Sequence, residues 1–218
     1  MKLVAFQYGR SEINEAMVFE NGDKNIKYPI SLLFFLLKTD NKKILVDTGC
    51  DGMKAFPTFD LVSPVLLLEE YGVNRDDITD IILTHTHGDH IGGVKYYKNA
   101  DIYVHNSEIS AKPLTNKPNK IIAFDDECKI NDNITVKHIG GHCLGSSIVT
   151  INYNEEIYVL CGDECYSRDN LTKKIPTGSS INLKQSSFFV NEYSKDVYKT
   201  VLFHDLTVVG KTGFKEIF

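Results

Sequence analysis

The sequence contains the run His85-Thr86-His87-Gly88-Asp89-His90, which brings three imidazoles and one carboxylate together within six residues. Such a cluster is costly without a ligand, because protonated histidines repel one another and neutral ones present lone pairs that suit a Lewis acid. The segment before it, Thr79–Thr84, is largely apolar and β-branched, which predicts a buried strand, and Ile91–Tyr97 after it can begin a helix. The run therefore lies where a strand turns into a helix, the usual place for ligand sites in α/β sheets.

The spacing within this run predicts two metal positions. Residues two apart in an extended chain point the same way, so His85 and His87 can bind one metal. The turn that follows directs Asp89 and His90 toward a second metal. A solvated cluster of polar surface residues is the alternative interpretation, which the particular spacing disfavours.

Composition indicates a soluble globular protein without a nucleic-acid partner. Hydrophobic residues make up 42% and charged residues 24% of the 218 residues, and the net charge of −5 provides no basic patch for phosphates. The most apolar run, Ile30–Leu37, is too short to cross a membrane, and no apolar signal-peptide region follows Met1. Five cysteines without a close CxxC pair favour reduced thiols. We therefore expect a cytoplasmic protein with no membrane partner.

Strand-like segments outnumber helical ones. The candidate strands are Leu3–Gln7, Ile30–Lys38, Lys43–Asp47, Asp80–Thr84, Ile102–His105, Ile121–Phe124, Ile134–Ile139, Ser147–Asn152, Ile157–Cys161 and Thr200–Phe203. Many of these strands are apolar on both faces. This pattern predicts an α/β (α+β) fold with two packed sheets between helices, an αββα sandwich that forms a single domain over residues 1–218.

Three helices and one long loop are expected between the strands. Ser63-Pro64 opens a helix that Gly72 closes, and two more helices are predicted over Ser107–Lys112 and within Leu183–Tyr198. The polar segment Arg168–Asn182 is predicted to be a long loop, and long loops in compact domains are often functional.

Three further side chains are candidate partners for the six-residue run. His142, Asp163 and His204 each follow a predicted strand, so they can converge on one rim of a sheet. Taken singly, each is more often a hydrogen-bonded polar residue or a turn residue than a ligand. Together with the run they form a mixture of nitrogen and carboxylate ligands that suits two Zn²⁺ ions, with manganese, iron or cobalt as alternatives.

In combination, His-Thr-His-Gly-Asp-His, Gly-His, Gly-Asp and a final His resemble the metallo-β-lactamase fold superfamily. The resemblance extends from Tyr28 to His204 and includes Ile44-Leu45-Val46-Asp47-Thr48-Gly49, which matches the strand and turn before the family's metal motif. It implies a four-layer αββα sandwich with a dinuclear centre at one edge. It also implies two ligand sets bridged by Asp163, with His85, His87 and His142 on the first metal and Asp89, His90 and His204 on the second.

Several positions differ from particular branches of this family and so indicate which branch the sequence resembles. Asp163 stands where the commonest class B β-lactamases carry a cysteine, and His87 stands where flavodiiron proteins carry a glutamate. Tyr166 follows Asp163 by three residues, and this spacing resembles that of N-acyl homoserine lactone lactonases. His142-Cys143-Leu144-Gly145 departs from the usual His-Thr/Ser-Pro-Gly, which affects the loop rather than the ligand. The resemblance therefore implies a lactonase-like hydrolase.

The expected chemistry is hydrolysis of a small-molecule ester or lactone by a hydroxide that bridges the two metals. Metal coordination lowers the pKa of water from 15.7 toward about 7. Asp89 and Tyr166 are the candidate catalytic residues: Asp89 shuttles a proton to the leaving oxygen, and Tyr166 donates a hydrogen bond to the carbonyl or oxyanion. Asp47 either orients an imidazole or is a turn aspartate.

Other functions remain compatible with the same centre. Thioester hydrolysis of the glyoxalase II kind and phosphodiester hydrolysis are the alternatives, followed by a non-catalytic metal-binding sensor. The sensor predicts missing ligands, whereas the candidate set is complete.

Overall fold

The structure is a computed structural model that describes residues 1–115 and 119–218. Within these residues the strands, numbered along the chain, are β1 Lys2–Asn14, β2 Lys27–Lys38, β3 Lys43–Val46, β4 Thr58–Phe59, β5 Asp80–Ile82, β6 Asp101–His105, β7 Ile121–Phe124, β8 Glu127–Lys129, β9 Ile134–His138, β10 Ser147–Tyr153, β11 Glu156–Leu160, β12 Tyr198–Val201 and β13 Gly213–Glu216. The α-helices are α1 Glu15–Val18, α2 Pro64–Glu70, α3 Gly88–Ile91, α4 Arg168–Lys173 and α5 Leu183–Glu192. Short 3-10 helices lie at Arg75–Asp77, Val94–Tyr96, Asn106–Glu108 and Gly162–Glu164.

The strands form two sheets. The first has the order β13-β1-β2-β3-β5-β6-β7, with β4 paired to β1, and the second has the order β12-β11-β10-β9-β8. Strands β3, β5, β6 and β7 run parallel to one another, and β11 runs parallel to β12. Each sheet thus contains strands whose carboxyl ends lie at a common edge.

Strand β2 shows why the sheets are covered on both sides. Side chains alternate along a strand, and Leu32, Phe34 and Leu36 belong to one apolar cluster together with residues of α2. Leu33, Phe35 and Leu37 belong to a second cluster, which includes the buried faces of the second sheet and of α5. The predicted αββα sandwich is therefore confirmed: α2 covers the first sheet, α5 covers the second, and apolar side chains fill the space between the sheets.

Local predictions failed where a capping contact or a tertiary contact overrides the pattern. The helix predicted over Ser107–Lys112 was wrong, because only a 3-10 turn over Asn106–Glu108 forms there. The loop predicted over Arg168–Asn182 was wrong in its first part, which is helix α4. Ser167 begins this helix with a capping box, in which its side chain accepts from the Asp169 N–H while the Asn170 side chain accepts from the Ser167 N–H.

Over residues 1–115 and 119–218, no helix is long and apolar enough to cross a membrane.

Candidate metal centre

The candidate ligands follow strand ends in both sheets. In the first sheet, Asp47 follows β3 directly, and His85 comes shortly after the parallel strand β5. In the second sheet, His142, Asp163 and His204 follow β9, β11 and β12, which all point the same way. The Ser147 N–H donates to the Thr84 carbonyl across the two sheets at 2.9 Å. The sandwich thereby brings both sets of strand ends to one rim.

All seven side chains predicted as ligands come together at this rim, in two adjoining groups. In each group the ligand atoms lie within 4.8 Å of one another; the first group is His85, His87, His142 and Asp163, and the second is Asp89, His90 and His204. Nδ1 of His87 lies 2.9 Å from Nε2 of His142 in the first group. Nε2 of His90 lies 3.6 Å from Asp89 Oδ2 in the second.

Asp163 lies between the two groups. Its Oδ2 faces the first group, at 3.8 Å from His85 Nε2 and 3.5 Å from His142 Nε2. Its Oδ1 faces the second group, at 3.0 Å from Nε2 of both His90 and His204. The two carboxylate oxygens are thus directed at different ligand groups, as the role of a bridging residue requires.

Asp47 and Thr84 orient two of the imidazoles. Asp47 is fully buried, and its Oδ2 lies 2.6 Å from His90 Nδ1 and accepts from the Thr84 hydroxyl at 2.7 Å. Because that hydroxyl donates to Asp47, its oxygen accepts from His85 Nδ1, 3.1 Å away. Both imidazoles therefore carry a proton on Nδ1, which donates to a group outside the centre, and direct the Nε2 lone pair toward the centre. Of the two interpretations of Asp47, its contacts support the orienting one.

Two contacts that the sequence did not reveal orient two further imidazoles, those of His204 and His142. Nδ1 of His204 donates to the Ser31 backbone carbonyl at 2.8 Å. Nδ1 of His142 lies 3.3 Å from the Ser179 hydroxyl. Ser31 acts through its main chain, so no residue type could signal it, and Ser179 lies within a segment whose only sequence signal was its polarity.

Burial and neighbouring charges give His85, His142 and Asp163 the protonation states that bind a metal. Burial lowers the pKa of His85 well below its ordinary value and that of His142 to about 4, so both imidazoles are neutral at pH 7. Burial alone would raise the pKa of Asp163, but the positive charge that His90 and His204 carry when protonated outweighs it and holds that pKa well below its ordinary range. Burial would lower the pKa values of His90 and His204, but the Asp163 carboxylate outweighs it and raises both, so a metal at the second group binds in competition with protons. Neutral imidazole and ionised carboxylate are the forms that bind metal ions.

The geometry also fits a metal because it leaves donor atoms without partners. Nε2 of His85 and Nε2 of His90 are buried and make no hydrogen bond within the described residues, although His90 Nε2 lies near Asp163. A buried polar atom without a partner is costly, and a cation removes that cost. Nitrogen and carboxylate donors in this mixture match the preferences of zinc and of the other divalent metals that imidazole binds.

Both predicted catalytic residues lie at the centre. The Tyr166 hydroxyl donates to Asp163 Oδ2 at 2.8 Å, and its ring stacks on that of His204 with centroids 4.8 Å apart. The Asp89 side chain is 18% exposed, so it reaches both the second ligand group and the solvent side of the site. Cys143 lies in contact with Glu108 rather than with either ligand group.

A cavity of about 580 Å³ opens beside the centre. His87, Asp89, His142, Asp163 and His204 form part of its wall, together with Tyr166. The rest of its wall is largely apolar and includes Ile13, Met17, Ile30, Met53, Ala55 and Phe56. A small molecule with an apolar part can therefore lie against the candidate ligands.

Comparison with known proteins finds a family match and several curated relatives. The family model described as Metallo-beta-lactamase superfamily matches residues 32–188. An N-acyl homoserine lactonase from Bacillus sp. is 27% identical over 169 residues, which cover 65% of this chain and 67% of the lactonase. A hydroxyacylglutathione hydrolase from Pectobacterium carotovorum is 26% identical over 141 residues, which cover 62% of this chain and 47% of that enzyme. The chain spans only 21% and 52% of the length of two other curated relatives.

The fold has counterparts among solved structures. One is an N-acyl homoserine lactone hydrolase with the product N-hexanoyl-L-homoserine bound at its catalytic metal centre. It superposes with a TM-score of 0.81 at 20% sequence identity, over 94% of this chain and 93% of that one. At this identity the likeness establishes the fold.

Proposed function

Because the chain belongs to the metallo-beta-lactamase superfamily, we propose that it is a hydrolase that uses two zinc ions to open a lactone or a related ester. The observation that carries the proposal is the position of Asp163, whose Oδ1 and Oδ2 face the two ligand groups separately. A mononuclear site would need only one of these groups. Superfamily relatives such as an N-acyl homoserine lactonase and a hydroxyacylglutathione hydrolase support the same reaction class.

In this proposal the seven side chains hold the metals. His85, His87 and His142 would hold the first ion, Asp89, His90 and His204 would hold the second, and Asp163, which lies between the two groups, would serve both. The ions supply Lewis acidity and lower the pKa of water, so that a nucleophile is available at neutral pH. Asp47 and Thr84 keep the imidazoles of His90 and His85 in the tautomers that leave Nε2 free.

Asp89 is the residue proposed to move a proton. Hydrolysis of a lactone forms a bond from water oxygen to the carbonyl carbon and breaks the bond to the ring oxygen. The ring oxygen leaves as an alkoxide and needs one proton, while the attacking water has one to lose. The Asp89 carboxylate lies on the cavity wall and is partly exposed, so it can accept that proton and deliver it to the ring oxygen.

Tyr166 is proposed as the hydrogen-bond donor to the substrate. Its hydroxyl lines the cavity and donates to Asp163 Oδ2. Burial, together with the charge of Asp163, raises the pKa of Tyr166 well above its ordinary value, so the hydroxyl keeps its proton. Donation to a substrate oxygen requires the bond to Asp163 to exchange, which a short rotation of the phenol O–H allows.

The cavity wall favours a substrate with an acyl chain. Ile13, Met17, Ile30 and Phe56 offer apolar surface next to the candidate ligands. An N-acyl homoserine lactone combines a lactone carbonyl for the metals with an acyl chain for this wall. Such a substrate loses unfavourable contact with water when its chain is buried.

A hydrolysis panel with measured metal content tests the proposal. N-acyl homoserine lactones, a glutathione thioester, a phosphodiester and a β-lactam are compared for the zinc-loaded wild type and for Asp163→Ala. We expect lactone hydrolysis by the wild type, with Asp163→Ala reduced to the rate of the metal-free protein. Asp77→Ala is the control, because Asp77 is an exposed aspartate that pairs with Lys43.

The outcomes separate the candidate reactions. Activity on the thioester or the phosphodiester alone would replace the lactone as substrate and keep the hydrolytic centre. Zinc-loaded wild type that is inactive across the panel would refute the enzyme proposal. Full activity with one zinc ion per chain would refute the dinuclear part of it.

A further inference from the structure

The loop that carries His142 has no regular secondary structure to hold it. It runs over residues 140–146, between β9 and β10, as Gly140-Gly141-His142-Cys143-Leu144-Gly145-Ser146. Leu144 at its tip is 70% exposed, whereas His142 is 4% exposed. Something other than strand pairing must therefore keep the main chain of His142 in place.

The Gly141 carbonyl accepts from the N–H groups of Ile181 and Asn182, each at 3.0 Å, and Glu164 holds the N–H groups of the loop. The Glu164 side chain is fully buried, and one oxygen, Oε1, accepts hydrogen bonds from three groups of the loop. These are the Gly141 N–H at 3.0 Å, the His142 N–H at 3.2 Å and the Ser146 hydroxyl. One atom thus ties the two sides of the loop together at its base.

Burial of the Glu164 carboxylate is partly unfavourable. Its second oxygen, Oε2, is buried and has no hydrogen-bond partner among residues 1–115 and 119–218. A Cβ at position 141 would lie 2.2 Å from that oxygen, so only glycine fits there. Burying a carboxylate oxygen without a partner is unfavourable, which means that packing alone does not account for a glutamate at this position.

We propose that Glu164 is a positioning residue that holds the His142 imidazole at the metal centre through the backbone N–H groups of Gly141 and His142. The inference rests on the proposed role of His142 as a metal ligand. Glu164 fixes the main chain, and the Ser179 hydroxyl at 3.3 Å from Nδ1 fixes the rotation of the ring. Outer contacts of this kind tune metal affinity although they never touch the metal.

A second carboxylate, that of Glu108, contacts the opposite side of the loop, and its contacts differ from those of Glu164. Glu108 accepts from the Gly145 N–H at 3.1 Å and from the Cys143 thiol at 3.3 Å, and it also contacts the Thr86 hydroxyl. The His142 N–H donates to Glu164 rather than to Glu108. The contacts of Glu108 restrain the tip of the loop, whereas those of Glu164 restrain the residue that carries the imidazole.

Two substitutions separate the reach of the side chain from its charge. Glu164→Asp keeps the charge but draws the carboxylate away from the two N–H groups. Glu164→Gln removes the charge but keeps an acceptor oxygen at the position of Oε1. Zinc affinity is measured by chelator competition on the metal-free proteins, and the absorption spectrum of the cobalt form reports the ligand geometry.

We expect Glu164→Asp to bind zinc about 10–100-fold more weakly at one site, the usual effect of losing an outer contact. Its cobalt spectrum should change, and the rise in melting temperature that zinc causes should shrink. Glu164→Gln should remain close to the wild type in all three measurements. Glu15→Asp is the matched control, because Glu15 also accepts from a backbone N–H, that of Asp23, far along the chain from the ligands.

Wild-type zinc affinity and spectrum in Glu164→Asp would overturn the inference, as would an equal loss in Glu164→Gln. A purely structural role would lower the melting temperatures of the metal-free and zinc forms equally. If Glu164→Asp does not fold, Glu164→Met keeps the length of the side chain but removes the acceptor of the Gly141 and His142 N–H groups, and unchanged zinc affinity there would also overturn the inference. Zinc-bound wild type that hydrolyses nothing would refute the proposed function alone.

Discussion

Replacing Asp47 by asparagine tests how the second ligand group is oriented. Asp47 has a positive φ of 58°, a conformation that asparagine adopts more readily than most residues. The amide oxygen can still accept from the Thr84 N–H, which lies 2.8 Å from Oδ1 in the wild type. The amide NH₂ then replaces Oδ2 and faces Nδ1 of His90, which lies 2.6 Å from Oδ2 in the wild type. Two donors cannot pair, so the native contact is lost.

The expected loss of zinc affinity follows from a change of tautomer at His90. The imidazole relieves the conflict when its proton moves from Nδ1 to Nε2. Nε2 is the atom that lies 3.0 Å from Asp163 and 3.6 Å from Asp89, so protonating it removes the lone pair that a metal needs. Loss of an outer partner costs about 10–100-fold in metal affinity. That factor corresponds to about 1.4–2.7 kcal/mol at the second site.

The assay is a chelator-competition titration of the metal-free protein, which resolves two zinc affinities. We expect Asp47→Asn to weaken one of them and to leave the other near the wild-type value. Asp80→Asn is the matched control, because Asp80 is also buried, but it lies at the beginning of β5 and pairs with Lys42 rather than with a histidine. It should lose stability and keep both zinc affinities.

Two wild-type zinc affinities in Asp47→Asn would refute the role given to Asp47. A loss of both sites together with native circular dichroism would mean that Asp47 supports the whole centre rather than His90. Either result can be told apart from unfolding, because the dichroism of the metal-free variant is recorded in the same series.

Four further outcomes are expected. Tyr166→Phe should lower kcat for the lactone about 10²–10³-fold, the effect of one oxyanion donor, and an unchanged kcat would remove the hydroxyl from the mechanism. Phe203→Ala deletes a fully buried ring packed edge-on against Phe35; it should cost about 3–5 kcal/mol in urea unfolding, whereas exposed Phe188→Ala should cost less than about 0.5 kcal/mol. A chelator should lower the melting temperature and abolish hydrolysis, with zinc restoring both, and an insensitive melting temperature would contradict the metal site. Burial raises the pKa of Cys143 to about 12, so at pH 8 its thiol should react with a disulfide reagent far more slowly in the folded than in the unfolded protein; equal rates would contradict that environment.

The layered fold could be predicted because its signal is local. Alternation along β2 sends successive leucines and phenylalanines to opposite faces, and such a strand has to be covered on both sides. The extent of β1 could not be predicted in the same way. Its second half contains Gly9, Arg10 and Ser11, which lack a strand pattern and pair with β2 only after a bulge at Tyr8. That pairing is a tertiary contact.

The candidate ligands could likewise be predicted from the sequence, because imidazoles and carboxylates at strand ends are recognisable metal-binding groups by residue type alone. Their orientation was not readable. Nδ1 of His204 meets a main-chain carbonyl of β2, and the main chain of His142 is held by Glu164, a residue whose type suggested no such role. The sequence therefore specifies which donor atoms are available at the rim. The packing of the two sheets decides which nitrogen of each imidazole faces inward. It also directs one oxygen of Asp163 to each ligand group. Neither feature could be predicted from the sequence, because both depend on partners that lie far apart in the chain.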